Sequence, residues 1–154
     1  MSIRQIVLNF SGNDTAGFAG MAMDVKVQNA FNVHSATVIT ANTAQNNEKV
    51  ISINCVADTV FRDQLDAVDT LPTKAVKVGL IGSITQAKKI TNFVREKKIP
   101  LVFDPVVASS SGARFIDDNF LLFLKEQLLP HTTLLTPNIM EAELLTNIKI
   151  KTTE

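Results

Sequence analysis

The side chains best suited to chemistry in this chain are acids and amides placed where strands end. Asp104-Pro105 follows the apolar run Leu101-Val102-Phe103. An acid at the carboxyl end of a buried strand can hold Mg²⁺ through water, as phosphoryl-transfer sites require; an Asp-Pro pair also simply forms a turn. Asn138 and Glu141, three residues apart at a helix start, either face one ion or serve as an N-cap and its capping-box partner. Gly12 and Gly17 have the glycine spacing of a P-loop, but Phe18 stands where the phosphate-contacting lysine belongs. A Walker-type nucleotide site is thereby excluded. The run is either a flexible turn and helix cap or a backbone-lined pocket that a ligand approaches closely. His34 and His131 are isolated beside strand boundaries and receive no catalytic role. Cys55 is the single cysteine, with no histidine nearby in sequence to activate it, and reads as a small core residue.

These residues need elements to position them. Ile6-Val7-Leu8 reads as a buried strand, with a glycine-bearing loop from Ser11 to Gly20 and an amphipathic helix from Met21 to Phe31. Val38-Ile39-Thr40 is a second strand, followed by a polar loop reaching Asn47, and Val50 to Cys55 alternates as a short edge strand. Asp58-Thr59 is placed to cap a helix through Phe61, Leu65 and Val68. Ala75-Val76-Lys77-Val78 forms the next strand. Ser83 caps a helix whose stripe is Ile84, Ala87, Ile90, Phe93 and Val94. Leu101 to Phe103, a helix from Asp117 to Leu129, the strand Leu134-Leu135 and a helix opening at Glu141 complete the chain. Alternation of this kind specifies an α/β fold with a mainly parallel sheet. Ligands of such sheets sit beyond the carboxyl ends of the strands. That rule selects the loops at 11–20, 40–47, 79–83 and 104–112, and Thr136-Pro137-Asn138.

Composition bounds the function. The 154 residues are 45% hydrophobic and 19% charged, enough for the core of one ordinary domain. Fifteen basic residues balance fifteen acidic ones, so the excess or clustered basic face of a nucleic-acid binder is missing. The run Arg95-Glu96-Lys97-Lys98 sits where a helix ends and reads as a partner of its dipole. No stretch reaches the roughly 18 apolar residues of a membrane span, and the start is too short and polar for a signal peptide. A lone cysteine fits a reducing compartment. The expectation is a cytoplasmic protein without nucleic-acid or membrane partners.

The order of the motifs is more specific than any one of them. Ser11-Gly12-Asn13-Asp14-Thr15-Ala16-Gly17-Phe18-Ala19-Gly20, with Asp24 and Lys26, resembles the first loop of bacterial hydroxymethylpyrimidine/phosphomethylpyrimidine kinases, ribokinase-like enzymes of thiamine biosynthesis. The resemblance continues through Val38-Ile39-Thr40-Ala41 and Ala44-Gln45-Asn46, then Gln64-Leu65-Asp66 and Lys77-Val78-Gly79-Leu80. It runs on through Asp104-Pro105-Val106-Val107, Ser111-Gly112, Leu128-Leu129-Pro130, and Thr136-Pro137-Asn138 with Glu141 to Leu145. It implies a ribokinase-like fold, ATP and Mg²⁺ as cofactors, and transfer of the γ-phosphoryl to a hydroxymethyl group and then to the resulting monophosphate. Gly12 and Asp24 match residues near the substrate. Gln45 matches the residue that hydrogen-bonds the pyrimidine ring, a task suited to an amide. Leu80 and Val107 match apolar pocket positions, and Asp104 with Asn138 and Glu141 matches the elements that organise Mg²⁺ and phosphate.

The departures set further expectations. Phe18 replaces the second glycine of the family's pair and is placed to crowd the substrate. Asn13 stands for Ser or Thr, Ala22 for Gln, and Ser110 for a Lys beside the phosphate path. Family members are longer, and their C-terminal part supplies the Gly-Thr-Gly anion hole and the catalytic Cys or Asp. The expectation is therefore a single, incomplete domain over 1–154 with no catalytic residue of its own. It would work as a homo-oligomer or with a complementing C-terminal half. The alternatives are a non-catalytic or vestigial pyrimidine-binding chain and a relative acting on pyridoxal or a sugar.

Overall fold

The computed structural model describes residues 4–46, 48–108 and 115–151. Asn47, the segment holding Ser110, Ser111 and Gly112, and Thr152 to Glu154 lie outside them. The chain runs β1 (Ile6–Asp14), α1 (Gly20–Ala30), β2 (His34–Gln45), β3 (Val50–Cys55), α2 (Asp58–Val68), β4 (Thr73–Val78), α3 (Ile84–Lys97), β5 (Leu101–Phe103), α4 (Asp118–Phe123), β6 (Leu134–Leu135) and α5 (Ile139–Thr146). The sheet order is β3-β2-β1-β4-β5-β6. All pairings are parallel except β2 with β3, which is antiparallel. Among the described residues no helix is long and apolar enough to cross a membrane.

Central β1 separates two environments by simple alternation. Leu8 and Phe10 point into the main core with Val76, Val78, Leu101 and Phe103. Phe10 packs at 6.2 Å from the ring of Phe61 in α2 and edge-on at 5.9 Å from Phe93 in α3. Asn9 and Ser11 point the other way, toward α1. Asn9 is fully buried and exchanges hydrogen bonds with Gln28 of α1, at 2.7 and 3.0 Å, while Ser11 reaches Asp24 one turn earlier. Helix α1 is thus seated through polar contacts, and none of its residues is fully buried. The amphipathic helix expected there is present, but without an apolar face.

α3 follows its sequence pattern closely. Ser83 accepts from the Gln86 N–H, Ala87, Ile90, Phe93 and Val94 are buried, and Arg95 and Lys97 occupy the last turn. Lys97 also pairs with Asp69 at 2.8 Å. Three local readings change. α2 is capped by Ala57 without a side-chain bond, so Asp58 is its first residue and not its cap. The segment after Asp117 is a short α-helix that widens into a π-type turn over Leu124–Leu128 and tightens into a 3₁₀ turn at Pro130, still burying Phe120, Leu121, Leu124 and Leu128. Cys55 is exposed on edge strand β3, its thiol directed at the Gly82 carbonyl.

Two expected loops begin as strand. β1 continues through Ser11 to Asp14, and β2 runs through the polar segment to Gln45. Neighbouring strands satisfy the backbone there, so polar side chains do not end the ladder: Asn13 pairs with Asn42 and Asp14 with Thr43. The extension carries Gly12, Asp14 and Gln45 past the end of the main core, to the rim where the other strands stop.

Candidate functional site

At that rim lies a pocket of about 140 Å³, lined by Ser11, Gly12, Asp14, Thr43, Gln45, Ile53, Lys77, Gly79, Leu80, Asp104 and Val106 among others. Its first wall is built by Asp14. One carboxylate oxygen accepts the Ala16 N–H at 2.9 Å, and the other accepts those of Phe18 and Ala19, also at 2.9 Å. The turn is closed by Gly17, which has φ 72° and donates to the Asp14 carbonyl at 3.1 Å. The side chain of Gln45 lines the same pocket beside Asp14. Burial alone would raise the Asp14 pKa. The donors on Ala16, Gln45, Ala19 and Phe18 outweigh it and hold the group below its usual range.

The second wall is the turn after β4. Buried Gln86 accepts from the Gly82 N–H at 2.9 Å and donates to the carbonyls of Thr40 and Val56 at 3.0 and 3.2 Å. Thr40 in turn donates to the Leu80 carbonyl at 2.6 Å. These bonds tie the 79–82 turn to β2 and hold Leu80 over Gly12. A Cβ on Gly12 would stand 2.8 Å from Leu80 Cδ2.

Charge enters from the floor. Lys77 Nζ lies 2.9 Å from Asp24 Oδ1 and 3.6 Å from Asp104 Oδ2, and Ser11 Oγ donates to Asp24 Oδ2 at 2.5 Å. Beyond Asp104, α5 opens on a complete capping box. Asn138 Oδ1 accepts the Glu141 N–H, and Glu141 Oε2 accepts the Asn138 N–H, both at 2.9 Å. Glu141 is buried. Burial first, and then the charge of Asp104, push its pKa above the usual range, against the N–H groups of Asn138 and Val107.

The sequence-predicted residues therefore separate. Gly12, Gln45, Leu80 and Asp104 line one pocket. Asp24 stands behind it, engaged by Ser11 and Lys77. Val107 is buried and lines a smaller cavity with Phe103 and Phe120, while its neighbour Val106 faces the main pocket. Asn138 spends its side-chain oxygen as the N-cap. Phe18 is exposed and does not line the pocket. Sequence reasoning passed over Lys77 and Asp14. The signal for Lys77 was a charge inside the apolar run Ala75 to Val78; the signal for Asp14 was an acid directly before a glycine turn.

Among the described residues no three acids, histidines or cysteines are grouped to hold a metal, so there is no closed protein cage. Mg²⁺ does not need one, because it keeps waters and takes one or two carboxylates beside substrate phosphates. Asp104 lies close enough to Glu141 for its charge to raise the Glu141 pKa, which a cation would relieve. They fit such an ion; Asn138 does not, as positioned.

The α/β sheet, with a mainly apolar pocket at its carboxyl rim that carries an amide and a lysine–aspartate cluster, has the ribokinase-like fold of small-molecule kinases. The chain belongs to the phosphomethylpyrimidine kinase family, whose family model matches residues 14–154. It is 35% identical over 147 residues to a hydroxymethylpyrimidine/phosphomethylpyrimidine kinase of Synechococcus elongatus, an alignment covering 95% of this chain and 56% of the relative. A crystal structure of phosphomethylpyrimidine kinase from Clostridium difficile superposes with TM-score 0.86 at 33% identity, covering 97% of this chain and 65% of that one. A Bacillus subtilis pyridoxal kinase solved as an ADP complex gives TM-score 0.85 at 25% identity, covering 98% and 57%. The chain spans a little over half the length of such curated relatives.

Proposed function

We propose that this chain carries the pyrimidine-binding part of a kinase that phosphorylates 4-amino-5-hydroxymethyl-2-methylpyrimidine and then its monophosphate, with MgATP as donor. The observation that carries the reading is Gln45, whose amide lines the pocket beside Asp14 and opposite Leu80 and Val106. An aminopyrimidine edge alternates donors and acceptors, and an amide carries both and can pair with it. Leu80 and Val106 supply the apolar contact an aromatic ring needs. Asp104, with Glu141 behind it, would hold Mg²⁺ beside the transferred phosphate, and Mg²⁺ there would neutralise charge developing on the phosphoryl oxygens. Turnover further requires an anion hole and a base. We propose that a region corresponding to the remainder of the longer relatives supplies them, in a soluble cytoplasmic protein.

The test is a titration of the purified chain with the hydroxymethylpyrimidine, followed by ligand-detected NMR, with pyridoxal as competitor. Binding that is weakened in Gln45→Ala and not displaced by pyridoxal supports the reading. ATP-dependent turnover should then emerge only when the remaining segment of a relative is added in trans. Binding without turnover in that mixture would favour a non-catalytic binding chain, and stronger binding of pyridoxal would assign the pocket to the other branch.

A further inference from the structure

Resting on the pyrimidine reading of the pocket, we infer that Lys77 binds the oxygen-bearing substituent of the ligand, with Asp24 acting through it as a buried counter-ion. The resemblance put Asp24 near the substrate, but both of its carboxylate oxygens are engaged, one by Ser11 at 2.5 Å and one by Lys77 at 2.9 Å. Lys77 lines the pocket and Asp24 does not. An ammonium carries three donors. Asp24 takes Lys77 from behind, at 2.9 and 3.3 Å to its two oxygens. Asp104, at 3.6 Å, is too far for a strong hydrogen bond. Donor capacity is left for a ligand atom in the pocket.

Gly79 bears on the same point. A Cβ there would lie 3.2 Å from Lys77 Nζ, tighter than ordinary packing, so glycine leaves the ammonium its room. Topology gives the direction. Gln45 ends β2 and Lys77 lies on β4, the two strands that flank β1. A ring held at Gln45 therefore extends its substituent across β1 toward Lys77 and Asp104. A charged N–H prefers an oxygen acceptor there, whether an alcohol or its phosphate ester.

The experiment compares two ligands, the 5-hydroxymethylpyrimidine and its 5-methyl analogue, by calorimetry or ligand-detected NMR on the full chain. Wild type should prefer the hydroxymethyl compound by about tenfold or more, as a charge-assisted hydrogen bond implies. Lys77→Met should bring that affinity down to the level of the methyl analogue and leave the methyl analogue unchanged within about twofold, the preference being the part that bond supplies. Asp24→Asn should lower the preference ratio in the same sense, which a purely structural role would not do. If Lys77→Met fails to fold because Asp24 is left unpaired, the double variant Lys77→Met/Asp24→Asn removes both charges and carries the comparison. Gln45→Ala, in contrast, should weaken both ligands equally. A preference that persists without Lys77, while Gln45→Ala behaves as stated, overturns this inference alone. Failure of wild type to bind either compound overturns the pyrimidine reading and this inference with it.

Discussion

Leu80 Cδ2 lies over Gly12 so closely that a side chain of even one carbon on Gly12 would meet it at 2.8 Å. The obstructing atom is the free end of a flexible side chain, and the nearest backbone atom, the Ala41 carbonyl oxygen, is 3.7 Å away. Gly12→Ala should therefore push Leu80 into the pocket without breaking the fold. Ligand affinity should fall about tenfold, the low end of an overpacking penalty, while the melting temperature changes little. Leu80→Ala in the same chain should recover part of the lost affinity. A large fall in stability with affinity preserved would refute the assignment of both residues to one pocket wall.

Gly20 presents the opposite case. Its φ is 56°, and a Cβ would stand 2.3 Å from the Gly12 carbonyl oxygen, which is backbone and cannot rotate away. Gly20→Ala should cost about 3 kcal/mol, combining the left-handed conformation with forced displacement of α1 from β1. Gly17→Ala, at φ 72° with neighbours no closer than 3.7 Å, should cost only the conformational part, about 1–2 kcal/mol. Urea denaturation of the two variants measures both, and equal losses would contradict the geometry.

Alternation of short apolar runs with helical stripes was sufficient to read the α/β sheet, because Leu8, Val38, Val76 and Leu101 are buried by the periodicity that marks them. The order of the motifs was sufficient to read the family. What the sequence hid was polar structure. Strand extensions through Ser11 to Asp14 and Ala41 to Gln45 are stabilised by neighbouring strands, not by local apolar pattern. The seating of α1 rests on Asn9, Ser11 and Lys77, which look like surface residues until the register of β1 and β4 pairs Asn9 with Lys77 on one face. Val107 and Val106 illustrate the same limit: a one-residue offset decides which side chain meets the ligand, and only the backbone fixes it.

Asp14 predicts an acid dependence. Its folded pKa is below the usual 3.8, so its contribution to stability is present above the unfolded value and is lost as pH falls through the folded one. Asp14→Asn should lower stability at neutral pH by about 3 kcal/mol, because buried backbone donors lose a charged acceptor. The gap between wild type and variant should narrow steadily as pH drops below 4. Asp14 also lines the pocket, so ligand affinity should fall alongside stability. A gap independent of pH would show that the Asp14 carboxylate is not what holds the turn.

Glu141 predicts the reverse dependence, because its folded pKa is raised above the usual 4.5. Below that value the carboxyl is protonated in both folded and unfolded chains and contributes no pH dependence. Between the unfolded and folded values the native chain holds a proton that the unfolded chain has released, so stability falls as pH rises through that window. In metal-free buffer, the stability of wild type relative to Glu141→Gln should decline from pH 4.5 upward and level off once the folded carboxyl ionises. Asp104→Asn should shrink the decline, since the Asp104 charge is the second cause of the shift after burial. Mg²⁺ should shrink it as well, by favouring the ionised form of Glu141. Chemical denaturation of the three proteins across pH, with and without Mg²⁺, makes the comparison. A decline that Mg²⁺ leaves untouched while Asp104→Asn abolishes it would keep the carboxylate pair and remove the cation from it.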